Sequence, residues 1–226
     1  EADKTSIFGG IVAANREIDL ETAQMLKPIF LEIVMAPSFA PDALELLCTK
    51  KNLRVLKVDM TKDNVVRKQY VSMNGGMLVQ DRDINTKPVA ADQCVTEAKP
   101  TAEQLADLEF AWKIVKHVKS NAIVVAKNGM TYGVGAGQMN RIGSAEIALK
   151  QAQNTLKEEG KDIMTEGLVL ASDGFFPFND CVALAAEYGI KAIVQPGGSI
   201  RDEDSVKLAN EKGITMLFTG ERHFKH

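Results

Sequence analysis

The chain has 226 residues, of which 45% are hydrophobic and 25% charged. This composition is ordinary for a globular protein and is sufficient for one large or two small domains. Its 27 basic and 30 acidic residues give a formal net charge of -3, which provides no overall basic field to favour a nucleic-acid partner. The sequence shows neither an apolar run of about 18 residues nor a signal peptide, so we expect a cytoplasmic protein without a membrane partner.

The cysteines and histidines give no metal or disulfide pattern. Cys48, Cys94 and Cys181 are widely spaced and form no CxxC motif, which favours isolated thiols over a disulfide framework or a zinc site. His223 and His226 stand close together near the end of the chain, but no third ligand accompanies them. We therefore predict no metal site.

The first hundred residues predict two helices and a strand. Asp19 is the predicted N-cap of a helix over residues 20–34, with a proline inside it that predicts a kink or two shorter helices. Pro41 begins the second helix, and residues 53–60 resemble a strand. Residues 61–100 are less periodic, so we expect an irregular connection between two lobes there.

The second half of the chain predicts an α/β fold. Thr101 opens a long helix with a capping-box pattern, and Asn128 with Gly129 between two apolar runs predicts a hairpin. Ser144 is the predicted N-cap of the next helix. From residue 167 onward short apolar strands alternate with helices, which predicts mixed, largely parallel sheets with crossover connections.

This alternation predicts where a ligand binds. The loops that follow parallel strands share one edge of the sheet, and ligands of open α/β sheets bind at that edge. The three loops have the sequences SDGFFPFND, QPGGSIRDED and TGERHFKH. Together they contribute Asp173, Phe175, Phe176, Asp180, Ser199, Arg201, Arg222, His223 and His226. Aromatic faces, a glycine pair and cations suit a flat heterocycle that carries an anionic group.

The three phenylalanines of the first loop need not share one role. We expect Phe178 to be buried, whereas the pattern leaves open whether Phe175 and Phe176 belong to the core or form a stacking platform.

A glycine-rich strand precedes Arg141. Gly133, Gly135 and Gly137 alternate, so they lie on one face of a predicted strand, where a ligand or another backbone can approach closely. Gln138 and Asn140 occupy the positions where a GxGxxG motif would need its last glycine, which argues against a dinucleotide site. Arg141 stands beside a predicted helix N-terminus, which favours an anion, although the pattern allows a solvated surface arginine equally well.

Seven longer segments of the chain form a recognisable series. In chain order they are SIFGGIVAAN, EIVMAPSFAPDALELL, KSNAIVVAKNG, GVGAGQMNRIGSAEIA, ASDGFFPFND, QPGGSIRDED and FTGERHFKH. Together they resemble the C-terminal part of the bifunctional purine biosynthesis enzyme that combines AICAR transformylase with IMP cyclohydrolase. The resemblance implies two cytidine-deaminase-like α/β/α lobes, the first incomplete. Residues 1–100 would contain the partial first lobe and its connection, and residues 101–226 the second lobe.

The resemblance also implies a reaction. The formyl group of N10-formyltetrahydrofolate, a co-substrate, would pass to the 5-amino group of AICAR without a catalytic metal, at a homodimer interface. The parent protein would also be an IMP cyclohydrolase. In this family the general base is a histidine of a Lys-His pair upstream of the FGG motif, and no such pair precedes Gly9. We therefore expect this chain alone to be nearly inactive.

The matching motifs carry the family's roles to individual residues. Asn121 matches an asparagine near the reacting amine and formyl group, and His226 matches the terminal histidine that supports the catalytic base. The positions that match AICAR-binding residues are Gly9, Glu32, Asn121, Arg141, Phe175 and Arg222. The positions that match folate-binding residues are Ile142, Asp180, Ser199 and Ile200.

Two other functions remain open from the sequence. One is a non-catalytic α/β fragment that binds nucleotide. The other is a nucleotide-dependent oxidoreductase, which needs a glycine fingerprint after an early strand and an acidic residue about 20 positions further on. Neither feature is present in the sequence.

Overall fold

A computed structural model describes residues 2–60, 67–85 and 87–226, and the chain divides into two compact units, Glu1–Arg82 and Asp83–His226. This boundary precedes the one predicted after residue 100. The difference arises because the intervening residues pack onto the second unit. Val89 is buried in its core, and the amide of Val95 donates a hydrogen bond to the carbonyl of Met216 at 2.9 Å.

The first unit contains a three-stranded parallel sheet with the order β1-β2-β3. The strands are β1 (Gly10–Ala13), β2 (Leu31–Ala36) and β3 (Arg54–Lys57), and the helices are α1 (Leu20–Leu26) and α2 (Pro41–Cys48). The start of α2 at Pro41 and the strand within residues 53–60 are confirmed. Ile18, Val34 and Leu47 are among the residues that form the core of this unit.

The helix predicted after Asp19 is wrong in its second half. Asp19 does cap α1, because its carboxylate accepts a hydrogen bond from the amide of Thr22 at 2.9 Å. The helix ends before Pro28, which has no amide hydrogen to continue it. The apolar run that follows forms the central strand Leu31–Ala36, whose β-branched residues suit a pleated sheet.

Regular structure also occurs within the predicted irregular connection. Strand β4 (Lys68–Met73) pairs with β5 (Gly76–Asp81) as an antiparallel hairpin, and Gly75 in the turn has a φ of 82°. Every position of both strands is exposed. The prediction for residues 61–66 and for Thr86 falls outside the described residues.

The second unit is built on a five-stranded sheet with the order β10-β9-β8-β6-β7. The strands are β6 (Ile123–Lys127), β7 (Met130–Gly135), β8 (Val169–Ser172), β9 (Ala192–Gln195) and β10 (Thr215–Phe218). Strands β8, β9 and β10 run parallel to one another, whereas β6 is antiparallel to both β7 and β8. The predicted α/β class with mixed, partly parallel sheets is confirmed.

Helices pack on both faces of this sheet. They are α3 (Ala102–Val115), α4 (Arg141–Glu158), α5 (Ile163–Glu166), α6 (Asp180–Glu187) and α7 (Asp202–Lys212), and a 3-10 turn covers Ala91–Gln93. Ile193 joins one core cluster with Leu149 of α4, while its neighbour Val194 joins the other with Trp112 of α3. The two cores follow from the alternation of side chains along a strand. Within the described residues, no helix is both long enough and apolar enough to span a bilayer.

Two of the three local turn and cap predictions in this unit are correct. Thr101 and Gln104 form the capping box, and Asn128 has the positive φ, 51°, that a tight hairpin turn requires. The predicted cap at Ser144 is wrong, because Asn140 accepts the hydrogen bond from the amide of Gly143 at 2.8 Å. Ser144 lies inside α4, buried.

The glycines of β7 allow helix α4 to approach the strand. A Cβ atom on Gly133 would lie 1.9 Å from the carbonyl oxygen of Ala148, and one on Gly135 would lie 1.9 Å from that of Ser144. Gly137 lies beyond the strand, with a φ of 65°. Of the two uses that the sequence left open, close approach of another backbone is the one that Gly133 and Gly135 serve.

We predict that Gly133→Ala lowers the free energy of unfolding by about 3 kcal/mol, because α4 has to shift to admit the methyl group. Gly160→Ala is the control. Its surroundings are open, and its positive φ of 72°, which Gly133 does not share, should cost about 1 kcal/mol through backbone strain alone. Urea unfolding followed by fluorescence of Trp112, the single tryptophan, measures both. Equal losses in the two variants would show that α4 does not restrict this position.

Candidate functional site

Three loops meet at the carboxyl ends of β8, β9 and β10, as predicted. We call this edge the rim and define it as residues 172–180, 195–204 and 219–226. The guanidinium carbon of Arg222 lies 4.8 Å from the ring centroid of Phe175. A Cβ atom on Gly198 would lie 3.8 Å from the same guanidinium group. One side chain from the third loop therefore lies next to both of the other loops.

The phenylalanines of the first loop have three different environments. Phe176 is fully buried in the core, whereas Phe175 is half-buried beneath Arg222. The predicted burial of Phe178 is wrong, because the chain turns at Pro177 and leaves this ring 50% exposed. Its ring centroid lies 5.1 Å from the guanidinium carbon of Arg201. Two arginine–phenylalanine pairs, with geometry suited to cation–π attraction, thus occupy the rim.

Arg141 is neither a solvated surface residue nor free to receive an anion with its whole charge. Its guanidinium group forms an ion pair with the carboxylate of Asp173, which is completely buried. It also donates to the hydroxyl of Ser172 and to the side-chain carbonyl of Asn121, both at 3.0 Å. The neutralising role of Arg141 inside the protein has no signature in the sequence, because Asp173 is distant along the chain.

Asn121 is held on several sides. Its backbone amide and its side-chain amide both donate to the carbonyl of Gln138, at 3.3 and 2.9 Å. Its side-chain carbonyl accepts from Arg141, and its backbone carbonyl accepts from the Ser144 hydroxyl at 2.7 Å. The misassigned cap residue Ser144 therefore supports the position of a predicted site residue.

The predicted folate-binding positions lie on three elements of the second unit. Ile142 is in the first turn of α4 and packs against the core, and Asp180 begins α6. Ser199 is half-buried in the loop after β9, and its neighbour Ile200 is fully exposed. Asp202 fixes this loop by accepting a hydrogen bond from the amide of Gly198 at 2.6 Å.

The remaining predicted AICAR-binding positions lie in the first unit. Gly9 has a φ of 73°, and its amide donates to the carbonyl of Phe30 at 2.8 Å. Glu32 pairs with Arg54 at 2.8 Å, and both side chains are well exposed. A cavity of about 420 Å³ is lined by Phe30, Glu32, Lys51, Asn52, Leu53 and Arg54.

The histidines of the last loop face different ways. His226 is exposed, with its ring centroid 5.9 Å from that of Phe224. His223 is only 3% exposed and packs against Trp112, with ring centroids 4.6 Å apart. Its Nδ1 atom lies 2.5 Å from a carboxylate oxygen of Asp83. The prediction that the His223 side chain faces the ligand edge is wrong, and no local pattern indicates its partner.

Asp83 is a carboxylate in a positive environment. Burial by itself raises its pKa, but the hydrogen bond from His223 and the charges of His223 and Lys116 outweigh burial and hold the pKa below the ordinary value. The Nζ atom of Lys116 lies 3.4 Å from the second carboxylate oxygen. Asp83 is therefore ionised around neutral pH.

The histidine and acidic groups suggest neither a metal site nor the family's base. Across residues 2–60, 67–85 and 87–226, no group of three or more histidine, cysteine or acidic side chains is arranged to hold a metal ion. Lys-His dipeptides occur at residues 116–117 and 225–226, both of them after the FGG motif. Burial and the nearby charges of Lys116 and Lys225 lower the pKa of His117.

The sequence of the chain is similar to that of proteins of purine biosynthesis. Residues 1–151 match the family model described as AICARFT/IMPCHase bienzyme. The chain is 59% identical to the bifunctional purine biosynthesis protein PurH of Anoxybacillus flavithermus, covering 100% of this chain and 42% of the relative. Identity is 57% to the protein of that name from Lactobacillus delbrueckii subsp. bulgaricus, covering 100% and 43%. It is 55% to that of Bacillus subtilis, covering 100% and 42%.

The chain thus spans about 42% of the length of these curated relatives. Among solved structures, a diaminohydroxyphosphoribosylaminopyrimidine deaminase/reductase from Thermotoga maritima has a TM-score of 0.31 and 22% identity. It covers 50% of this chain and 34% of its own, and so low a score says nothing further about the fold.

We predict that Arg141→Met lowers the free energy of unfolding by about 3–5 kcal/mol, because it leaves the buried Asp173 carboxylate without its counter-charge. Arg201→Met is the matched control, an exposed arginine of the same rim, and should cost no more than about 0.5 kcal/mol. Arg141→Lys should fall between the two, since an ammonium group retains the charge but loses the forked geometry. Urea unfolding measures all three, and equal stability of the two methionine variants would contradict the buried ion pair.

Proposed function

We propose that this chain, which belongs to the AICARFT/IMPCHase bienzyme family, contributes the substrate-binding rim of an AICAR formyltransferase. The reaction transfers the formyl group of N10-formyltetrahydrofolate to the 5-amino group of AICAR, in a parent protein that is also an IMP cyclohydrolase. The observation that carries the proposal is the half-buried ring of Phe175 beneath Arg222 at the carboxyl end of the parallel strands. Such a platform suits a flat imidazole whose nucleotide carries negative charge.

The chemistry requires orientation more than new bonds to the protein. The amine of AICAR is conjugated with a ring that bears a carboxamide, so it is a weak nucleophile. Its attack on the formyl carbon needs alignment, removal of a proton and stabilisation of the tetrahedral oxyanion. In the proposal the base packs against the part of the Phe175 ring that Arg222 leaves uncovered, and Arg222 holds an anionic or polar group.

Asn121 is proposed to donate or accept a hydrogen bond near the reacting centre. Its contacts to Gln138 and Arg141 support this role, because a side chain fixed before the ligand arrives loses little entropy on binding. Arg141 would contact AICAR through the edge of its guanidinium group, while the charge of that group remains paired with the Asp173 carboxylate.

The folate is proposed to lie along the neighbouring loops. Ile200 is fully exposed and offers an apolar contact to the flat ring, and Ile142 lies in the first turn of α4. Asp180 and Ser199 offer polar contacts from the beginning of α6 and from the loop after β9. His226 would support the catalytic base.

Proton removal is the part of the reaction that the proposal does not place in this chain. The resemblance assigns it to a Lys-His pair ahead of the FGG motif, and no such pair precedes Gly9. Loss of a positioned acid–base group lowers a rate by roughly 10²–10⁴. We therefore propose that this chain binds AICAR but turns it over very slowly.

We propose a homodimer with the site at the dimer interface. Each chain would have two cytidine-deaminase-like lobes, of which the first is incomplete in this sequence. The hairpin of β4 and β5 supports a partner chain, because a two-stranded hairpin exposed on both faces is at best marginally stable alone. Its exposed apolar side chains are Tyr70, Val71, Met73, Met77, Leu78 and Val79. A surface of this kind marks a protein contact.

We predict that Phe175→Ala and Arg222→Ala each weaken AICAR binding by about tenfold, the order expected for losing a stacking or cation–π contact. Phe178→Ala and Arg201→Ala are matched controls, because they belong to the second arginine–phenylalanine pair of the rim and should leave the affinity for AICAR within about twofold. Titration calorimetry with AICAR alone measures the four affinities. Equal effects of the two pairs would argue against Phe175 as the platform.

We also predict that the 226-residue chain binds AICAR but forms product with the folate donor at a rate lower by roughly 10²–10⁴ than a full-length relative. A spectrophotometric assay of formyl transfer measures both proteins. Substantial turnover by the isolated chain would contradict the proposed location of the base. Binding of a nicotinamide dinucleotide in place of AICAR would instead favour an oxidoreductase.

A further inference from the structure

The last loop of the chain turns alternate side chains toward opposite sides. Glu221 accepts a hydrogen bond from the Nζ atom of Lys87 at 2.6 Å and another from the side-chain amide of Asn85. His223 reaches Asp83 in the same region, whereas Arg222 between them extends over Phe175. Both neighbours of Arg222 are therefore held by Asp83, Asn85 and Lys87, whereas Arg222 itself contacts the loop that follows β8.

The residues that hold these neighbours form a connected cluster, which we call the clamp and define as Asp83, Asn85 and Lys87. Lys116, the C-cap residue of α3, joins it, because its ammonium group contacts the Asp83 carboxylate at 3.4 Å and also donates to the backbone carbonyl of Asn85. The Lys116 side chain is only 10% exposed. The clamp is thus anchored to a helix that packs against the sheet.

His223 is the point at which the clamp meets the core. Its imidazole is buried against Trp112, and its backbone amide donates to the carbonyl of Asp173 at 3.0 Å. Asp173 lies in the same loop as Phe175. The backbone at His223 is consequently fixed relative to the ring over which Arg222 lies.

We propose that Asp83 is a positioning residue for Arg222. By binding His223, and with Lys87 holding Glu221, it keeps the short stretch around Arg222 in place, so that the guanidinium group lies over Phe175 before AICAR arrives. This inference rests on the proposed function, which gives Arg222 its ligand. A long exposed side chain on a free loop would lose more conformational entropy on binding than one whose backbone is already fixed.

The test uses the full-length protein that contains this chain. Asp83→Asn keeps the size of the side chain but removes its charge, and we expect the dissociation constant for AICAR to rise about fivefold, the order of ordering one flexible side chain. The rate constant at saturating AICAR and the KM for the folate should change by less than about twofold. Glu166→Gln is the matched control and should leave the dissociation constant for AICAR unchanged. It disrupts a partly buried ion pair between other elements, in which the Nζ atom of Lys127 lies 3.0 Å from a carboxylate oxygen of Glu166.

A double-mutant cycle separates positioning from a general effect on the structure. If Asp83 acts through Arg222, Asp83→Asn should weaken binding by less than about twofold when Arg222 is already alanine. Fivefold losses that persist in the Arg222→Ala background would overturn the inference. Unchanged AICAR affinity in Asp83→Asn alone would overturn it as well.

Lys87→Met provides a second route, because it removes the hold on Glu221 and leaves Asp83 in place. We expect it to weaken AICAR binding about fourfold, again only when Arg222 is present. This variant decides the question should Asp83→Asn fail to fold, which Trp112 fluorescence would reveal. If the parent protein does not bind AICAR, or if Arg222→Ala binds it normally, the proposed function itself fails. If both behave as proposed while the clamp variants bind like the parent, the positioning role alone fails.

Discussion

The buried ion pair between Arg141 and Asp173 is the contact on which the proposed site depends. Asp173 lies in the loop after β8, and Arg141 is the first residue of α4. The same aspartate accepts a hydrogen bond from Ser120 at 2.5 Å, and its carbonyl accepts one from the amide of His223. The approach to β6, the start of α4, the first rim loop and the last one therefore meet at one residue. Burying a charge pair contributes little net stability, so its main consequence is that it fixes geometry.

The surrounding packing also fixes the positions of other residues of the proposed site. Phe176 is fully buried in the core, and it directly follows Phe175 in the chain. The backbone that carries the Phe175 ring is therefore anchored by the packing of Phe176. Asn121 is fixed by Gln138 on one side and by Arg141 on the other. A site built this way presents its groups in place, and binding energy is then not spent on ordering them.

The sequence predicts those parts of this structure that depend on neighbours along the chain. The capping box at Thr101, the hairpin at Asn128 and the alternation of strands with helices after residue 167 all use residues a few positions apart, and all three are confirmed. Because crossover topology brings the strand ends to one edge, the meeting of the three rim loops followed from the pattern alone.

The failures have a common physical cause, which is competition between local and distant partners. Residues 31–34 fit a helix by spacing, but they belong to the central strand of a sheet, which the β-branched side chains of Ile33 and Val34 favour. Ser144 is a good cap by type, yet Asn140 takes that role and the serine serves Asn121 instead. The partner of His223 is distant in sequence, so nothing local indicates that this imidazole faces Asp83.

The three arginines of the site show most clearly what a pattern cannot separate. Each stands in or beside a loop that follows or precedes a regular element, so the sequence makes all three candidates for binding an anion, although it allows Arg141 equally well as a solvated surface residue. In the structure Arg141 has its charge neutralised by a buried carboxylate, whereas Arg201 and Arg222 lie over aromatic rings. An aromatic face attracts a cation but leaves its formal charge intact. Arg201 and Arg222 thus keep their positive charge at the carboxyl ends of the parallel strands, although the chain as a whole carries a net charge of -3.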